Sequence, residues 1–110
     1  MISNKLNNKI VVITGGSGLL GSKFCESVFL NGGIPINADI DEEKSFDLVK
    51  HLNKKHSTDI FDAKKLDINS ENSIEDLICY LQNKYNRIDV LVNNAYPRNS
   101  SYGNIFFDVK

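Results

Sequence analysis

The sequence predicts an α/β protein: a partial doubly wound sheet of parallel strands in the order 3-2-1-4, with helices on both of its faces. Three observations predict this fold. The apolar run Ile10-Val11-Val12-Ile13 leads into a turn rich in glycine, and the turn opens a segment with helical periodicity. Short apolar segments and longer amphipathic segments then alternate along the chain. Such alternation is typical of parallel strands joined by right-handed helical crossovers.

The first strand and the first helix lie on either side of the glycine turn. Four consecutive Ile and Val residues predict a strand over residues 9–14 that is buried on both faces. Leu20, Phe24 and Val28 then recur at intervals of four, so we predict a helix over residues 18–31 that buries these three side chains. Two consecutive glycines follow and are expected to end the helix.

The middle of the chain predicts a strand, a charged helix and a weaker strand. The first of these strands covers residues 34–40, with Pro35 near its start, where a proline is tolerated. The helix covers residues 41–56, and the weak strand covers residues 60–66. One side of the helix is apolar and is expected to face the sheet, through Phe46, Val49 and Leu52.

A third helix and a fourth strand complete the alternation. Ser70 is a suitable N-cap for the helix. The strand is predicted over residues 88–93, and residues 94–104 have the composition of a loop. The helix carries an apolar stripe with a 3.6-residue period, formed by Ile74, Leu77, Ile78, Leu81 and Tyr85.

Length, charge and hydropathy exclude several classes of protein. The 110 residues form one domain at most, residues 1–110, and a net charge of −1 gives no reason to expect nucleic acid or a membrane surface as a partner. No apolar run approaches the ~18 residues of a membrane span, and the first residues lack the apolar core of a secretory signal. We therefore expect a cytoplasmic protein.

Cysteine and histidine usage predicts neither a disulfide nor a metal site. Cys25 and Cys79 lie far apart in helix-like segments, and we expect both to be reduced and buried. His51 and His56 share a lysine-rich helix face without a partner carboxylate, and we expect both to be solvated.

The glycine turn has the spacing G-x-x-G-x-x-G. Between a strand and a helix, such a turn places backbone N–H groups and a helix N-terminus against a pyrophosphate. Gly15 permits the tight turn, Gly18 lets the backbone approach phosphate, and Gly21 lets the helix pack closely. Thr14 can hydrogen-bond across the turn, and Ser17 offers a hydroxyl and an amide to the ligand. The alternative is a glycine-rich turn with no ligand.

Asp39 lies 18 residues after Gly21, at the expected carboxyl end of the second strand. A carboxylate there can accept hydrogen bonds from the adenosine ribose hydroxyls and would repel the 2′-phosphate of NADP. No arginine lies near it in the sequence, so NAD is favoured over NADP. The alternative is that Asp39 or Asp41 only caps the following helix, a role that Asp41 fits better.

Two further polar segments follow predicted strands. Asp67 can reach the exocyclic amine of adenine while Ile68 covers a ring face, although an Asp before a helix is commonly only a cap. The fourth strand ends in Asn93-Asn94-Ala95, which places side-chain amides at the edge where open α/β sheets bind ligands. The alternative here is a simple Asn-rich turn.

Together these features resemble the short-chain dehydrogenase/reductase family. Two motifs carry the resemblance: T-G-x-x-G-x-x-G, which begins at Thr14, and N-N-A, which begins at Asn93. The resemblance implies a Rossmann fold whose glycine loop holds the pyrophosphate of the dinucleotide. It also implies that Asp39 selects NAD, that Asp67 contacts adenine and that Asn93 steadies the central sheet. The expected cofactor-binding residues are Thr14, Gly15, Ser17, Gly18, Leu19, Gly21, Asp39, Asp67, Ile68, Asn93, Asn94 and Ala95.

The sequence departs from the family's usual pattern near its second motif. Tyr96 stands where the family usually has glycine, which puts in doubt a close backbone approach to the nicotinamide ribose. The spacing of the glycines is nearer the branch that modifies sugar nucleotides, whereas the order of elements and the N-N-A motif fit the reductases. Residues 93–99 resemble bacterial members that act in surface-sugar or flagellin-modification pathways.

The family's catalytic Ser and Tyr-x-x-x-Lys lie beyond a fifth strand, a region that this chain lacks. Tyr80 and Lys84 do fit Y-x-x-x-K, but they lie in the third predicted helix, and we expect a structural or solvated role for them. We therefore expect the chain to be the N-terminal part of a longer protein, without catalytic residues and inactive alone.

The predicted function is cofactor binding within an NAD(P)-dependent oxidoreductase. The whole enzyme is expected to transfer hydride between NAD and the alcohol or carbonyl of a small or sugar-like molecule, and to be a homo-oligomer. Two alternatives stay open: a stand-alone nucleotide-binding or regulatory module, and part of a sugar-nucleotide epimerase or dehydratase.

Overall fold

The computed structural model describes residues 5–94 of the chain. Strands and helices alternate along this part of the chain, as the sequence predicts. The elements are β1 (Ile10–Thr14), α1 (Leu19–Leu30), β2 (Ile34–Asp39), α2 (Glu42–Lys55), β3 (Asp62–Lys65), α3 (Glu71–Tyr85) and β4 (Val90–Val92).

The four strands form one parallel sheet in the order β3-β2-β1-β4, which confirms the predicted topology. The two outer strands are shorter than predicted, with four residues in β3 and three in β4. Pro35 lies inside β2 opposite Val11, but β3 pairs with β2 only from Ile36 onward. The missing N–H of the proline therefore leaves no gap in the β2–β3 ladder.

Two apolar cores lie on opposite faces of the sheet, so the helices cover both faces as predicted. All five residues of β1 are buried, and they contribute to both cores because successive side chains of a strand point to opposite faces. The core beneath α3 contains Ile10, Val12, Ile36, Ala38, Leu66, Leu77 and Leu81, and the core beneath α1 and α2 contains Val11, Ile13, Cys25, Val28, Leu52 and Phe61.

The buried face of α1 differs from the predicted one. Leu20 and Phe24 are 58% and 37% exposed, whereas Gly21, Cys25 and Val28 are buried. A Cβ atom on Gly21 would lie 2.5 Å from the Cα atom of the neighbouring loop residue Gly16. That close approach sets the rotation of the helix about its axis, and it turns the positions four and seven residues after Gly21 toward the sheet.

The caps of the other two helices are as predicted, while their apolar stripes are only partly buried. Asp41 and Ser70 cap α2 and α3 through hydrogen bonds from backbone N–H groups in the first turn. In α2, Leu52 is buried but Phe46 is half exposed. In α3 the buried positions are Leu77 and Leu81, and the remaining apolar positions Ile74 and Ile78 are partly exposed.

Cys79 and His56 correct two of the expectations. Cys25 is buried as expected, but Cys79 is exposed because it lies about 200° around the helix from Leu77, which faces the core. His56 has a partner carboxylate that the sequence did not reveal: its Nε2 lies 2.6 Å from Oε2 of Glu26 on α1. His51 is exposed as expected.

The Glu26 carboxylate links α1 to the end of α2. Lys55 and His56 both contact its Oε2 atom, and their hydrogen bonds hold the pKa of Glu26 below its usual range. The His56 ring packs against both Phe29 and Phe61, with ring centroids 5.0 and 5.8 Å away, and these two phenylalanine rings also contact each other. This end of α2 is therefore fixed by a polar contact and an aromatic cluster together.

Tyr80 and Lys84, the match to Y-x-x-x-K, take part in a structural contact, as expected. The Oδ2 atom of Asp62 accepts hydrogen bonds from Tyr80 Oη at 2.7 Å, Tyr85 Oη at 2.7 Å and Lys84 Nζ at 3.0 Å. Asp62 is the first residue of β3, so this clasp joins α3 to the amino edge of the parallel sheet. Burial and the hydrogen bond to Asp62 raise the pKa of Tyr80, which makes its hydroxyl a poor proton donor to a reacting group.

No helix in the described part of the chain is long and apolar enough to cross a lipid bilayer.

Replacing the clasp carboxylate is expected to make stability less sensitive to acid. Burial alone would raise the pKa of Asp62, but the hydrogen bonds from Tyr85, Tyr80 and Lys84 outweigh it and hold the pKa below its ordinary value. A lowered folded-state pKa contributes stability above the unfolded pKa, about 4, and that contribution disappears as pH falls through the folded pKa. Asp62→Asn should therefore cost about 1–3 kcal/mol at neutral pH and flatten the loss of stability below about pH 4.

Urea melts between pH 2.5 and 7 measure this effect. Asp59→Asn is the matched control, because Asp59 is exposed and near the same strand. Equal acid sensitivity in the Asp62→Asn variant and the unmodified chain would contradict the clasp.

Candidate functional site

A cleft of about 550 Å³ lies at the carboxyl edge of the sheet. It is open between the glycine turn, the end of β2 and the segment after β3. Its lining residues are Gly15, Ser17, Gly18, Leu19, Leu20, Gly21, Asp39, Ile40, Asp41, Lys44, Leu66, Asp67, Ile68, Asn69 and Asn94.

Most of the predicted site residues line this one cleft, although they come from distant parts of the sequence. Thr14 and Asn93 do not line it, but they lie directly behind its wall. Ala95 falls outside the described residues. The carboxyl ends of parallel strands meet at one edge, which explains why residues from the carboxyl ends of all four strands converge here.

We call the glycine turn the glycine loop (residues 15–21). Its three spaced glycines differ in whether, and why, the fold requires glycine at that position. Gly15 has a φ of 65°, a left-handed conformation that favours glycine. Gly21 is needed for packing, because its Cβ would also lie 2.6 Å from the carbonyl oxygen of Gly15. Gly18 has an extended backbone, and the nearest atom to its Cβ would be 3.9 Å away. The fold itself therefore does not require glycine at position 18.

The N-terminus of α1 lines the cleft without a side-chain cap. Its N-cap is Gly18, which has no side chain to accept from the first-turn N–H groups, and no acidic residue lies in that turn. The helices α2 and α3, in contrast, are both capped by side chains. The first amides of a helix and the positive end of its dipole together attract an anion.

Asp39 connects the glycine loop to the start of α2. Its Oδ2 accepts a hydrogen bond from the backbone N–H of Ser17 at 2.9 Å, and its Oδ1 accepts one from the N–H of Asp41 at 3.0 Å. The cap of α2 is Asp41, so Asp39 is not the helix cap. The expectation that Ser17 offers its amide to a ligand is not met in this structure, because that amide already donates to Asp39.

Thr14 and the two asparagines join the end of β4 to the glycine loop. The Thr14 Oγ1 atom accepts a hydrogen bond from the backbone N–H of Asn94 at 2.9 Å and lies 3.4 Å from Asn93 Oδ1. The Asn94 side chain donates to the carbonyl oxygen of Gly15 at 3.1 Å. These contacts align β4 with the loop and leave Asn94 on the surface of the cleft.

Asp67 and Ile68 form the far side of the cleft. The Oδ1 atom of Asp67 accepts from the backbone N–H of Asn69 at 3.0 Å, and the Asp67 N–H donates to Ser73 Oγ at 2.9 Å. Ser70, not Asp67, caps α3. The position of the Asp67 carboxylate is therefore held by the loop while the side chain lines the cleft.

Sequence reasoning missed several lining residues, of which Lys44 is the most consequential. It lies in the first turn of α2, three residues after the N-cap Asp41, and lines the same cleft as Asp39. The sequence near Asp39 contains no arginine, but it does contain this lysine. The sequence position of Lys44 did carry a signal, because the first turn of a helix that follows a parallel strand lies at the carboxyl edge of the sheet.

Comparisons with known proteins agree with this geometry. The family model of short chain dehydrogenases matches residues 9–101. The chain is 33% identical over 102 residues to the post-translational flagellin modification protein A of Campylobacter coli, covering 93% of this chain and 40% of that protein. It is 33% identical over 96 residues to the 7alpha-hydroxysteroid dehydrogenase of Bacteroides fragilis, covering 84% of this chain and 35% of that protein.

A solved structure shows the same architecture. The N-domain of a bacterial malonyl-CoA reductase with NADP superposes with a TM-score of 0.79 at 28% identity, covering 84% of this chain and 17% of that one. The chain belongs to the short chain dehydrogenase family, which confirms the resemblance. It spans less than half the length of each of these relatives.

Proposed function

We propose that this chain binds a nicotinamide dinucleotide and forms the cofactor-binding part of an oxidoreductase. The observation that carries the proposal is the combination of Gly18 and the uncapped N-terminus of α1 on one cleft. The fold has no steric need for glycine at position 18, but a ligand that lies against the backbone there does need it.

The residues along the cleft suit the successive parts of a dinucleotide. The first amides of α1 suit the diphosphate, since they donate without a competing side-chain acceptor. Each oxygen of Asp39 accepts one backbone N–H, and a carboxylate oxygen can accept a second bond, so Asp39 can also receive ribose hydroxyls. Ile40, Asp67 and Ile68 offer apolar surface and a carboxylate for adenine.

The nicotinamide cofactor, when bound, supplies hydride chemistry, and the chain's own residues bind and orient it. Asn94 lines the end of the cleft near Gly15, on the side where the expected nicotinamide ribose would lie. Tyr80 and Lys84 belong to the clasp at the amino edge of the sheet, away from the cleft. In this proposal, residues 5–94 therefore hold the cofactor and do not carry out proton transfer.

NAD is proposed as the preferred cofactor, on the ground that Asp39 lies on the cleft. The solved malonyl-CoA reductase relative carries NADP, so family membership alone does not favour NAD. Lys44 acts in the opposite direction, because an ammonium group on the same cleft favours a 2′-phosphate. The balance between this carboxylate and this ammonium group sets the preference.

For the whole enzyme we propose hydride transfer between the cofactor and the alcohol or carbonyl of a small, sugar-like substrate, in a cytoplasmic homo-oligomer. The likeness to a hydroxysteroid dehydrogenase supports a reaction on the alcohol or carbonyl of a small molecule. A sugar-nucleotide epimerase or dehydratase differs in one measurable respect: its NAD stays bound through turnover and through purification.

Substitutions at two glycines separate ligand binding from folding. Gly18→Ala should cost at most about 1 kcal/mol of unfolding free energy, because its Cβ meets open space and alanine is only a poorer N-cap than glycine, but it should weaken NAD binding at least about tenfold. Gly21→Ala, the matched control, should cost about 2 kcal/mol or more, because its Cβ would overlap backbone atoms. Isothermal titration with NAD and urea melts measure the two effects. Unchanged NAD affinity in a folded Gly18→Ala variant would refute the proposed function.

Charge substitutions on the cleft test the cofactor preference. Asp39→Ala should shift the ratio of NAD to NADP affinity toward NADP by about tenfold, since the repulsion of the 2′-phosphate is removed. Adding Lys44→Gln to this variant should reverse part of the shift. Asp41→Asn is the control, because it keeps an N-cap side chain while it removes a carboxylate from the same cleft. An unchanged ratio in the Asp39→Ala variant would show that another residue determines the preference.

A further inference from the structure

A buried amide side chain lies directly beneath the glycine loop. Asn37 is in the middle of β2 and is 1% exposed. Its Nδ2 atom donates to the Ser17 hydroxyl oxygen at 3.3 Å, while its Oδ1 atom has no hydrogen-bond partner in the described part of the chain. The hydrogen bond to Ser17 is therefore the one polar contact that this side chain makes with the described residues.

Asn37 decides which residue can occupy position 16. A Cβ atom on Gly16 would lie 2.2 Å from Asn37 Oδ1 and 2.8 Å from Asn37 Cγ. The φ angle of Gly16 is not in the left-handed region, so its backbone conformation does not itself demand glycine. The need for glycine at this position comes from the Asn37 amide, which holds the loop from below.

Asn37 also determines how Ser17 presents its hydroxyl group. The Ser17 amide donates to Asp39 Oδ2, and the Ser17 oxygen accepts from Asn37 Nδ2. A hydroxyl has a single proton, and no acceptor for that proton is found among residues 5–94. Because Ser17 lines the cleft and its oxygen is engaged from below, the proton is left to donate into the cleft.

We propose that Asn37 is a positioning residue of the nucleotide site: it fixes Gly16 and Ser17 and keeps the Ser17 hydroxyl as a donor toward an anionic diphosphate. This inference rests on the proposed function, because it needs a diphosphate in the cleft. Asn37 itself lies beneath the loop and acts on the ligand through Ser17.

Binding of two probes that differ by the diphosphate tests this role. Isothermal titration of the 110-residue chain with ADP and with adenosine would compare the unmodified chain with Asn37→Ala, Ser17→Ala and the double variant. Each single change should weaken ADP binding about three- to tenfold, the effect of one hydrogen bond of ordinary strength, and leave adenosine binding unchanged. The double variant should bind ADP no more weakly than the weaker single variant, since both changes remove the same contact.

The control is Ser22→Ala, which removes a hydroxyl from the first turn of α1 that bonds the carbonyl of Leu19 and does not line the cleft. It should leave both affinities unchanged. If the unmodified chain binds ADP and Asn37→Ala binds it equally well, the role of Asn37 is wrong and the proposed function survives. Equal losses of affinity for ADP and for adenosine would show a general structural effect of the substitution and overturn the positioning role of Asn37. If the unmodified chain binds neither probe, the proposed function fails, and the role of Asn37 toward a diphosphate fails with it.

A double-mutant cycle of stability, measured without ligand, tests the contact between Asn37 and position 16. Gly16→Ala should lower the urea midpoint clearly in the unmodified chain and only slightly in the Asn37→Ala background, because the two nearest atoms are then absent and only the Ile13 carbonyl oxygen remains, at 3.3 Å. Asn37→Ser is a second background if Asn37→Ala does not fold, since it removes the amide oxygen that would lie nearest to that Cβ. Equal shifts of the urea midpoint with and without the Asn37 side chain would show that Asn37 does not restrict position 16.

Discussion

The close approach of α1 to the glycine loop is the contact on which the rest of the structure depends. A side chain at Gly21 would overlap the backbone of Gly15 and Gly16, so the absence of a Cβ there allows the helix to start against the loop. That contact sets the rotation of α1, which decides that Cys25 and Val28 enter the core and that Phe24 does not. It also directs the first amides of the helix toward the carboxyl edge of the sheet. One steric condition therefore links the packing of the core to the geometry of the cleft.

Polar contacts then hold the loop in place from several sides. Asp39 accepts from the Ser17 amide, the Asn94 side chain donates to the Gly15 carbonyl, and Asn37 contacts Ser17 from beneath. Asp39 and Asn37 belong to β2 and Asn94 follows β4, so the loop is positioned by the sheet and not by its own sequence alone. A loop fixed in this way loses little conformational freedom when it binds a ligand, which favours affinity. The N-terminus of α1 has no side-chain cap because its N-cap is Gly18, and this end is the feature of the cleft best suited to an anion.

The sequence predicted those parts of the structure that depend on local patterns. The caps at Asp41 and Ser70 follow from turn chemistry and periodicity, which act over a few residues, and the strand order follows from the alternation of strands and helices along the chain. The rotation of α1 was predicted wrongly, because the contact at Gly21 overrides the apolar period. The pairing of His56 with Glu26 joins residues 30 positions apart, and no local pattern reveals it. The roles of the cleft residues remain predictions.

Amide chemical shifts of the isotopically labelled chain test the central claim, that the glycine loop and the start of α1 bind a diphosphate through their backbone N–H groups. On titration with NAD, we expect the amide resonances of Gly18, Leu19 and Leu20 to move in a saturable way, because the ligand would accept hydrogen bonds from this segment. The amide of Asn53, which lies on α2 away from the cleft, should stay in place. Shifts that are absent from the loop in a folded chain, or that cluster away from the cleft, would contradict the account.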